Sequence, residues 1–260
     1  MRLAVVGASG RMGRAVVRLA REAGLEVVCA VAATDVGRDV GELAGIGPTG
    51  VCVVDGLAAL EDARADVAID FSTPGATLAL APIAAAAGTA LVSGTTGLDE
   101  VARAALDRAA TRVPLLWEPN MSVGVHVLSR LVAQATAALA DWDVEIVETH
   151  HRAKVDAPSG TALRLAEAVQ AAREGAPRLV HGRQGRPGAR PAGEIGMHAL
   201  RGGDVVGDHV VHLLGGGERL ELTHKAGDRA IFARGALRAA KWAVAQKPGV
   251  YDMQDVLGLA

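Results

Sequence analysis

The sequence predicts an α/β protein of two domains, an N-terminal doubly wound parallel sheet followed by an α+β domain built on a mixed or antiparallel sheet. Three observations predict it. Strand-like and helix-like segments alternate through the first 120 residues. A glycine-rich turn follows the first of those strands. Beyond residue 120 the pattern changes to long helices and then to short alternating strands parted by glycines. With 260 residues, 50% of them hydrophobic, the chain has enough apolar surface for one large core or two modest ones.

Residues 3–6, Leu-Ala-Val-Val, are a short continuous apolar run of the kind that a strand covered on both faces shows. Helix follows over 12–23, strand over 25–31 and 67–71, helix over 76–87, strand over 90–92, helix over 99–110 and strand over 113–117. That order is the signature of a Rossmann-type fold. Its first turn reads Gly7-Ala8-Ser9-Gly10-Arg11-Met12-Gly13, in which glycines permit a tight turn and let backbone approach a pyrophosphate resting on the helix N-terminus. A glycine-rich turn can be only a turn. One that follows an N-terminal strand and opens an amphipathic helix points to NAD(P). Two later strand ends, Ser93-Gly94-Thr95-Thr96-Gly97 and Glu118-Pro119-Asn120-Met121-Ser122, fall along the carboxyl edge of the same sheet, where they would flank a nicotinamide. Taken singly, each is also ordinary turn chemistry.

The second domain is expected over 121–231, and the first over 1–120 plus 232–260. Residues 123–140 read as one amphipathic helix, 144–148 as a strand and 159–173 as a helix. A Gly-, Arg- and Pro-rich segment over 182–193 reads as a long mobile loop. Strands over 194–200, 208–214 and 219–225, separated by Gly202-Gly203 and Gly215-Gly216-Gly217, read as a run of hairpins. A helix over 232–244 and the segment 251–257 return to the first domain.

Chemistry concentrates between Glu145 and Ala162. The alternating strand runs out into a loop carrying His150, His151 and Lys154; Pro158 bars helix before it, and Ser159 is a good N-cap for the helix that follows. Free N–H groups of Ser159, Gly160 and Thr161 would then meet an anion, with the Lys154 ammonium and two imidazoles beside it: a site for a small acidic molecule that needs a proton. A His-His pair alone is more often structural or a surface feature; the lysine and the helix start within one loop shift the balance. Zinc is disfavoured, because adjacent histidines at a strand end point to opposite sides and no Cys or third His stands at ligand spacing.

A formal charge of −2 offers no basic field for nucleic acid. Cys29 and Cys52 both lie in apolar strand-like runs and read as buried free thiols of a reducing compartment. The opening residues lack the regions of a signal peptide, and the longest apolar run, 76–92, is broken by Pro82 and Gly88, so neither secretion nor a membrane is expected and the location is cytoplasmic.

With these residues in view, the whole chain resembles the 4-hydroxy-tetrahydrodipicolinate reductase (dihydrodipicolinate reductase) family of diaminopimelate and lysine biosynthesis. The resemblance rests on the glycine turn, Gly94-Thr-Thr-Gly97, Asn120-Met-Ser-Val-Gly124, Arg201-Gly-Gly-Asp-Val-Val-Gly-Asp-His209 and Glu218-Arg-Leu-Glu-Leu-Thr-His-Lys225, and above all on Glu148-Thr-His-His-Arg-Ala-Lys-Val-Asp-Ala-Pro-Ser-Gly-Thr-Ala162. It implies an NAD(P)H-dependent reductase of a small cyclic dicarboxylate and a homotetramer. It makes His150 the proton donor and acceptor and Lys154 its assistant and carboxylate partner. His151, Gly160 and Thr161 would hold substrate carboxylates; Gly7, Ala8, Ser9, Gly10, Arg11, Met12, Gly94, Thr95, Thr96, Glu118, Pro119, Asn120 and Met121 would contact the dinucleotide. One position departs from the pattern. The end of the second strand reads Val31-Ala32-Ala33-Thr34, without the acid that binds ribose hydroxyls, so Asp35, Arg38 and Arg11 are the candidates for that end of NADH or NADPH, and the sequence does not choose between the two cofactors. On the residues alone two other readings stay open: another Rossmann-type reductase, such as an amino-acid dehydrogenase, and a dinucleotide sensor with no use for the histidine loop.

Overall fold

The computed structural model of the chain describes residues 1–175 and 177–259; Ala176 and Ala260, which fall inside the predicted domain ranges, lie outside the described residues. The chain divides into two compact units, Met1–Val123 with Ala230–Ala260, and Gly124–Arg229.

The first unit holds seven strands: β1 (Arg2–Val6), β2 (Glu26–Val31), β3 (Val53–Val54), β4 (Val67–Asp70), β5 (Ala90–Ser93), β6 (Pro114–Trp117) and β12 (Gly249–Tyr251). All pair in parallel, in the order β12-β6-β5-β4-β1-β2-β3, so the sheet grows outward from β1 in both directions, as a doubly wound sheet does. The reason β1 is apolar at successive positions is visible in the core. Leu3 and Val5 enter one layer with Val16, Val17 and Leu237, while Ala4 and Val6 enter the other with Leu80, Leu91 and Leu106.

Helices α1 (Arg11–Glu22), α4 (Pro74–Ala87), α5 (Glu100–Ala110), α8 (Ala230–Ala243) and α9 (Met253–Leu257) cover these faces, and their starts follow local rules. Thr73 accepts from the Ala76 N–H at 3.3 Å with Pro74 in the first turn, Asp99 accepts from Ala102 at 2.8 Å, and Asp252 forms a capping box with Asp255. Each such cap contributes about 1 kcal/mol. Between β2 and β4 the structure adds three short elements that the sequence reading leaves out: α2 (Val40–Leu43), β3 and α3 (Ala59–Ala63). One carboxylate organises the first of them and the turn that leads to β3. Asp39 gathers the N–H groups of Gly41, Glu42, Thr49 and Gly50; these outweigh the desolvation that pushes it up and hold it at about 2. Cys52 bridges to Asp39 at this edge and is exposed, which corrects the expectation of two buried thiols; Cys29 is buried, and both are free.

In the second unit, α6 (Val123–Ala138) and α7 (Gly160–Ala171) accompany a five-stranded mixed sheet of β7 (Asp143–His150), β8 (Arg178–His181), β9 (Glu194–Arg201), β10 (Gly207–Leu214) and β11 (Arg219–Ala226), in the order β11-β10-β7-β9-β8. The predicted run of hairpins is half right. β10 and β11 pair antiparallel across the Gly215–Gly217 turn, but β9 and β10 lie on opposite sides of β7, β9 in parallel and β10 antiparallel. Helices cover one face, where Leu128, Val132, Val144, Ile146, Leu165, Val169, Ile195 and Val211 form the core. A fully buried side chain of this size contributes about 1.5–3 kcal/mol.

The segment over 182–193 is likewise not the free loop expected. Arg183 forms a fork on Glu145 (3.0 and 2.7 Å) and reaches Glu194 at 2.6 Å, while Arg190 donates to Glu145 at 3.0 Å and contacts Asp143. Against the burial that pushes Glu145 up, Arg183, His198 and Arg190 hold its carboxyl at about 2.

Candidate active site

In the first unit the turn between β1 and α1 is made of backbone. Gly7 has φ +77°, and a Cβ there would stand 2.3 Å from the Phe71 carbonyl oxygen; a Cβ on Gly13 would stand 2.2 Å from that of Gly7. Gly10 is the N-cap of α1 without a side-chain cap, and the first turn holds no acid, so the helix start is open to an anion. Ser9 shares a 2.7 Å hydrogen bond with Thr34. Just beyond, Asp35 (φ +58°) receives Arg14 at 3.1 Å and Arg38 at 2.8 Å. Of the residues proposed for that end of a dinucleotide, Asp35 and Arg38 therefore stand together, and Arg11 is exposed. The sequence reading passed over Arg14, whose Nε also donates to the Ser9 carbonyl at 2.7 Å. Its signal was its place in the first turn of the helix that the glycine turn opens.

Because the sheet is parallel, the turns after β4, β5 and β6 share the carboxyl edge with the glycine turn. A second residue that sequence reasoning missed organises them. Asp70, the last residue of β4 and fully buried, accepts from the hydroxyls of Ser72 (2.5 Å), Thr77 (2.6 Å), Ser93 (2.8 Å) and Thr95 (3.0 Å) and from the Ser72 N–H at 3.0 Å. Gly94 lies flat against the Phe71 ring, where a Cβ would meet it at 2.1 Å, and the Thr95 carbonyl accepts from Trp117 at 2.9 Å. Thr96 and Pro119 are exposed, Glu118 and Met121 buried, and Asn120 accepts from the Ser122 N–H at 2.9 Å. An acid closing the apolar strand Val67-Ala-Ile-Asp70 was the available signal.

In the second unit, Glu148 and His150 share strand parity with Val144 and Ile146, so both side chains enter the covered face. Glu148, 1% exposed, is fully engaged: His150 Nδ1 is 2.5 Å from Oε2, Arg201 donates to both oxygens at 2.8 and 2.7 Å, and the Ser159 N–H donates to Oε1 at 3.1 Å. Burial pushes this carboxyl up, but Arg201 and His150 outweigh it and hold the group below its ordinary value. Next to it, His209 shares a 3.0 Å hydrogen bond with Ser159 Oγ and meets the His150 ring edge-on at 5.2 Å. Burial, then the neighbouring His150, push His209 down to about 4, so it is neutral at pH 7.

Ser159 thus has a part other than the one expected. Its N–H serves Glu148, its hydroxyl serves His209 and the Ala162 N–H, and its side chain is buried, while Gly160, the first residue of α7, is exposed and Thr161 is half-buried. His151, on the opposite parity, receives Arg229 at 3.2 Å. Lys154 pairs with both oxygens of Asp156 at 2.8 and 2.9 Å, a contact that lowers Asp156. The loop Gly202-Gly203 holds this turn by backbone, with Gly202 N–H on the His150 carbonyl at 3.0 Å. Arg201 and His209 entered the sequence reading only as the ends of a matching motif, without a role, and Arg229 was not singled out, since each reaches the site from a distant part of the chain. Among the described residues no group of three or more His, Cys, Asp and Glu is arranged to hold a metal ion.

A doubly wound sheet with an uncapped glycine turn, joined in one chain to a unit that holds an oriented imidazole, defines an NAD(P)H-dependent oxidoreductase of the Rossmann class. Comparison with known proteins supplies the particular family. Models of the dihydrodipicolinate reductase N-terminus and C-terminus match residues 1–121 and 124–257. The 4-hydroxy-tetrahydrodipicolinate reductases of Alkalilimnicola ehrlichii and Myxococcus xanthus are 51% and 50% identical over 265 residues, covering 99% of this chain and 99% and 98% of theirs. That of Archaeoglobus fulgidus is 48% identical over 259 residues, covering 99% of this chain and 100% of its own. Among solved structures, the dipicolinate-bound dihydrodipicolinate reductase of Paenisporosarcina sp. TG-14 has the same fold, with a TM-score of 0.80 at 24% identity over 98% of each chain. This chain belongs to the dihydrodipicolinate reductase family.

Proposed function

We propose that His150 and Lys154 carry the chemistry of this reductase, with His151, Gly160 and Thr161 on the substrate. The reaction is the NAD(P)H-dependent reduction of 4-hydroxy-tetrahydrodipicolinate to tetrahydrodipicolinate, in diaminopimelate and lysine biosynthesis. In balance, the substrate loses water and gains a hydride from the nicotinamide and a proton from the protein, which later recovers the proton from solvent. The observation that supports His150 as the donor is its Nδ1 contact with Glu148: among the described residues nothing hydrogen-bonds Nε2, so one ring nitrogen is held and the other is left for proton transfer. Lys154 and the start of α7 answer the two negative charges of a cyclic dicarboxylate.

Mixing the protein and NADPH with the condensation product of pyruvate and aspartate semialdehyde is expected to oxidise the cofactor. His150→Gln is expected to lower kcat by about 10²–10⁴-fold with little change in cofactor affinity. Near-normal kcat in His150→Gln with turnover abolished in His151→Gln would move the proton donor to His151.

The same reading assigns the dinucleotide to the turns around Gly7–Met12, Gly94–Thr96 and Glu118–Met121, with Asp35 and Arg38 at its ribose end. It assigns substrate binding and oligomerisation to the second unit. No helix among the described residues is long and apolar enough to cross a membrane, and two free thiols accord with a cytoplasmic location. One face of the five-stranded sheet, with Val147, Val210 and Leu214, lies opposite the helix-covered core, which supports assembly through that face into a homotetramer. Sedimentation at micromolar concentration is expected to give a tetramer; a monomer mass would sink this part.

A further inference from the structure

We infer that Glu148 is the positioning residue of the proton donor: one buried carboxylate fixes the His150 ring through Nδ1 while it seats the start of α7 and the end of β9. The inference rests on the proposed role of His150 and goes beyond it.

The geometry leaves Glu148 no other use. Its two oxygens accept four hydrogen bonds, from His150, twice from Arg201 and from the Ser159 N–H, and the group is 1% exposed, so it meets no solvent and no substrate. An ionised carboxylate is acceptor-only, so the nitrogen facing it must carry its proton: His150 is Nδ1–H when neutral, and both nitrogens are protonated when charged. Proton transfer then has one direction. The Nε2–H bond of the imidazolium breaks as the bond from that proton to the substrate forms, the electron pair stays on Nε2, and the other proton stays on Nδ1, hydrogen-bonded to Glu148. Arg201 makes this possible at so buried a site, because its fork neutralises the carboxylate and keeps it from being protonated.

The remaining neighbours close the arrangement. Ser159 ties Glu148 to His209, whose ring packs edge-on against His150. A Cβ on Gly207 would stand 2.9 Å from His150 Nε2, so the glycine leaves that side of the ring clear. The same carboxylate that orients the ring therefore also fixes where α7 begins, and with it the N–H groups of Gly160 and Thr161. Imidazole and anion site are placed by one group.

The test compares Glu148→Gln, Glu148→Asp and His150→Gln in the intact chain with NADPH, reading kcat, KM for NADPH and the tautomer of neutral His150 by long-range ¹H–¹⁵N correlation, the His150→Gln spectrum supplying the assignment. Glutamine has one oxygen where Arg201 and Ser159 need two, so its amide donor turns toward the ring. The expected result is a shift of His150 from Nδ1–H toward Nε2–H and a loss of kcat of about 10²–10⁴-fold, the upper end being the cost of removing the carboxylate that holds the tautomer of a proton-transferring imidazole, with KM for NADPH within twofold. Glu148→Asp keeps the charge but withdraws it by one bond of about 1.5 Å; it is expected to give a mixed tautomer and an intermediate kcat. A group that served stability alone would lower the melting temperature and leave tautomer and kcat unchanged. That outcome in either folded variant overturns the inference, and the aspartate variant decides should the glutamine variant not fold. If His150→Gln itself keeps its kcat, the reading of His150 fails instead; if it loses kcat while Glu148→Gln does not, only the positioning role fails.

Discussion

At the turn after β1 a single methyl has no room, for a Cβ on Gly13 would press on the Gly7 carbonyl at 2.2 Å; at the start of α7 a Cβ on Gly160 would meet no heavy atom within 4 Å. Both are helix N-termini proposed to receive an anion, yet the first is shaped by backbone packed on backbone and the second by side chains that arrive from elsewhere. Asp70 and Arg14 narrow the contrast, since the first ties four hydroxyls at the carboxyl edge of the first sheet and the second holds the Ser9 carbonyl, but the close approaches in the turn that opens α1 are backbone on backbone. A backbone site tolerates exchange of the side chains around it and fails when a Cβ is added. A side-chain site behaves the other way.

The largest effect expected from this contrast is at Lys154. Among the described residues its ammonium pairs with Asp156, and if it binds substrate as proposed, Lys154→Ala is expected to weaken substrate binding by roughly 2–5 kcal/mol, part of that being the cost of a substrate carboxylate left unpaired. Turnover should slow as well if the ammonium aids proton transfer. Isothermal titration with dipicolinate and the NADPH assay read the two separately. A loss well below 1 kcal/mol would show that Gly160 and Thr161 hold the carboxylates without it.

Acid should find the second unit before the first. His209 is depressed to about 4 against an ordinary 6.5, so the unfolded chain binds the extra proton; its contribution is present above 6.5 and is lost as pH falls toward 4. Glu145 is depressed from 4.5 to about 2, so its contribution is present above 4.5 and is lost as pH falls toward 2, by at most roughly 3 kcal/mol. Urea unfolding at pH 7.5, 5 and 3 is expected to show stability falling across both windows, and Arg183→Ala should flatten the lower one. Equal stability at the three pH values would mean that neither group differs between folded and unfolded chain.

How much of this was legible follows the same division. The longer strands and helices of the first unit announce themselves in short apolar runs, and the glycine turn in its spacing, because those features are local, whereas the short α2, β3, α3 and β12 do not. Parity along β7 puts Glu148 and His150 on the face of Val144 and Ile146, a step the sequence reading did not take, because an acid in an alternating strand reads as a solvent-facing residue. What stayed hidden was long-range pairing. Arg201 lies 53 residues from Glu148 and Thr95 lies 25 from Asp70, separations at which no periodicity operates. The same holds for the segment over 182–193, whose Gly, Arg and Pro say mobile until Glu145 and Glu194 are brought beside its arginines. It holds too for β9, because nothing near Gly202-Gly203 tells that β7 lies between β9 and β10.

The glycines give the next test. Gly13→Ala must displace backbone of residues 7 and 8, and overpacking of that kind costs about 1–3 kcal/mol, to be seen in both cofactor affinity and melting temperature. Gly160→Ala is expected to leave both within about 0.5 kcal/mol. A tolerated Gly13→Ala would mean that the turn can open, and the two helix starts would then differ less than their packing suggests.

The smallest expected effect concerns the far end of the dinucleotide. Asp35 is shared by two arginines whose side chains differ: that of Arg14 also donates to the Ser9 carbonyl within the glycine turn, whereas that of Arg38, among the described residues, makes the exposed contact with Asp35. Exposed pairs contribute at most about 1 kcal/mol to stability, so neither substitution should unfold the chain. A 2′-phosphate would be repelled by Asp35 standing alone, but two guanidinium groups already converge on that carboxylate and offer it charge-assisted hydrogen bonds. NADPH is therefore expected to serve at least as well as NADH. Arg38→Ala should raise KM for NADPH by roughly 1 kcal/mol or less in free-energy terms and leave NADH unchanged, while Arg14→Ala should weaken both cofactors, because it also loosens the turn under the pyrophosphate. A strong preference for NADH in kcat/KM, or an Arg38→Ala variant with unaltered NADPH affinity, would leave Asp35 as a ribose ligand and Arg38 as its solvated partner.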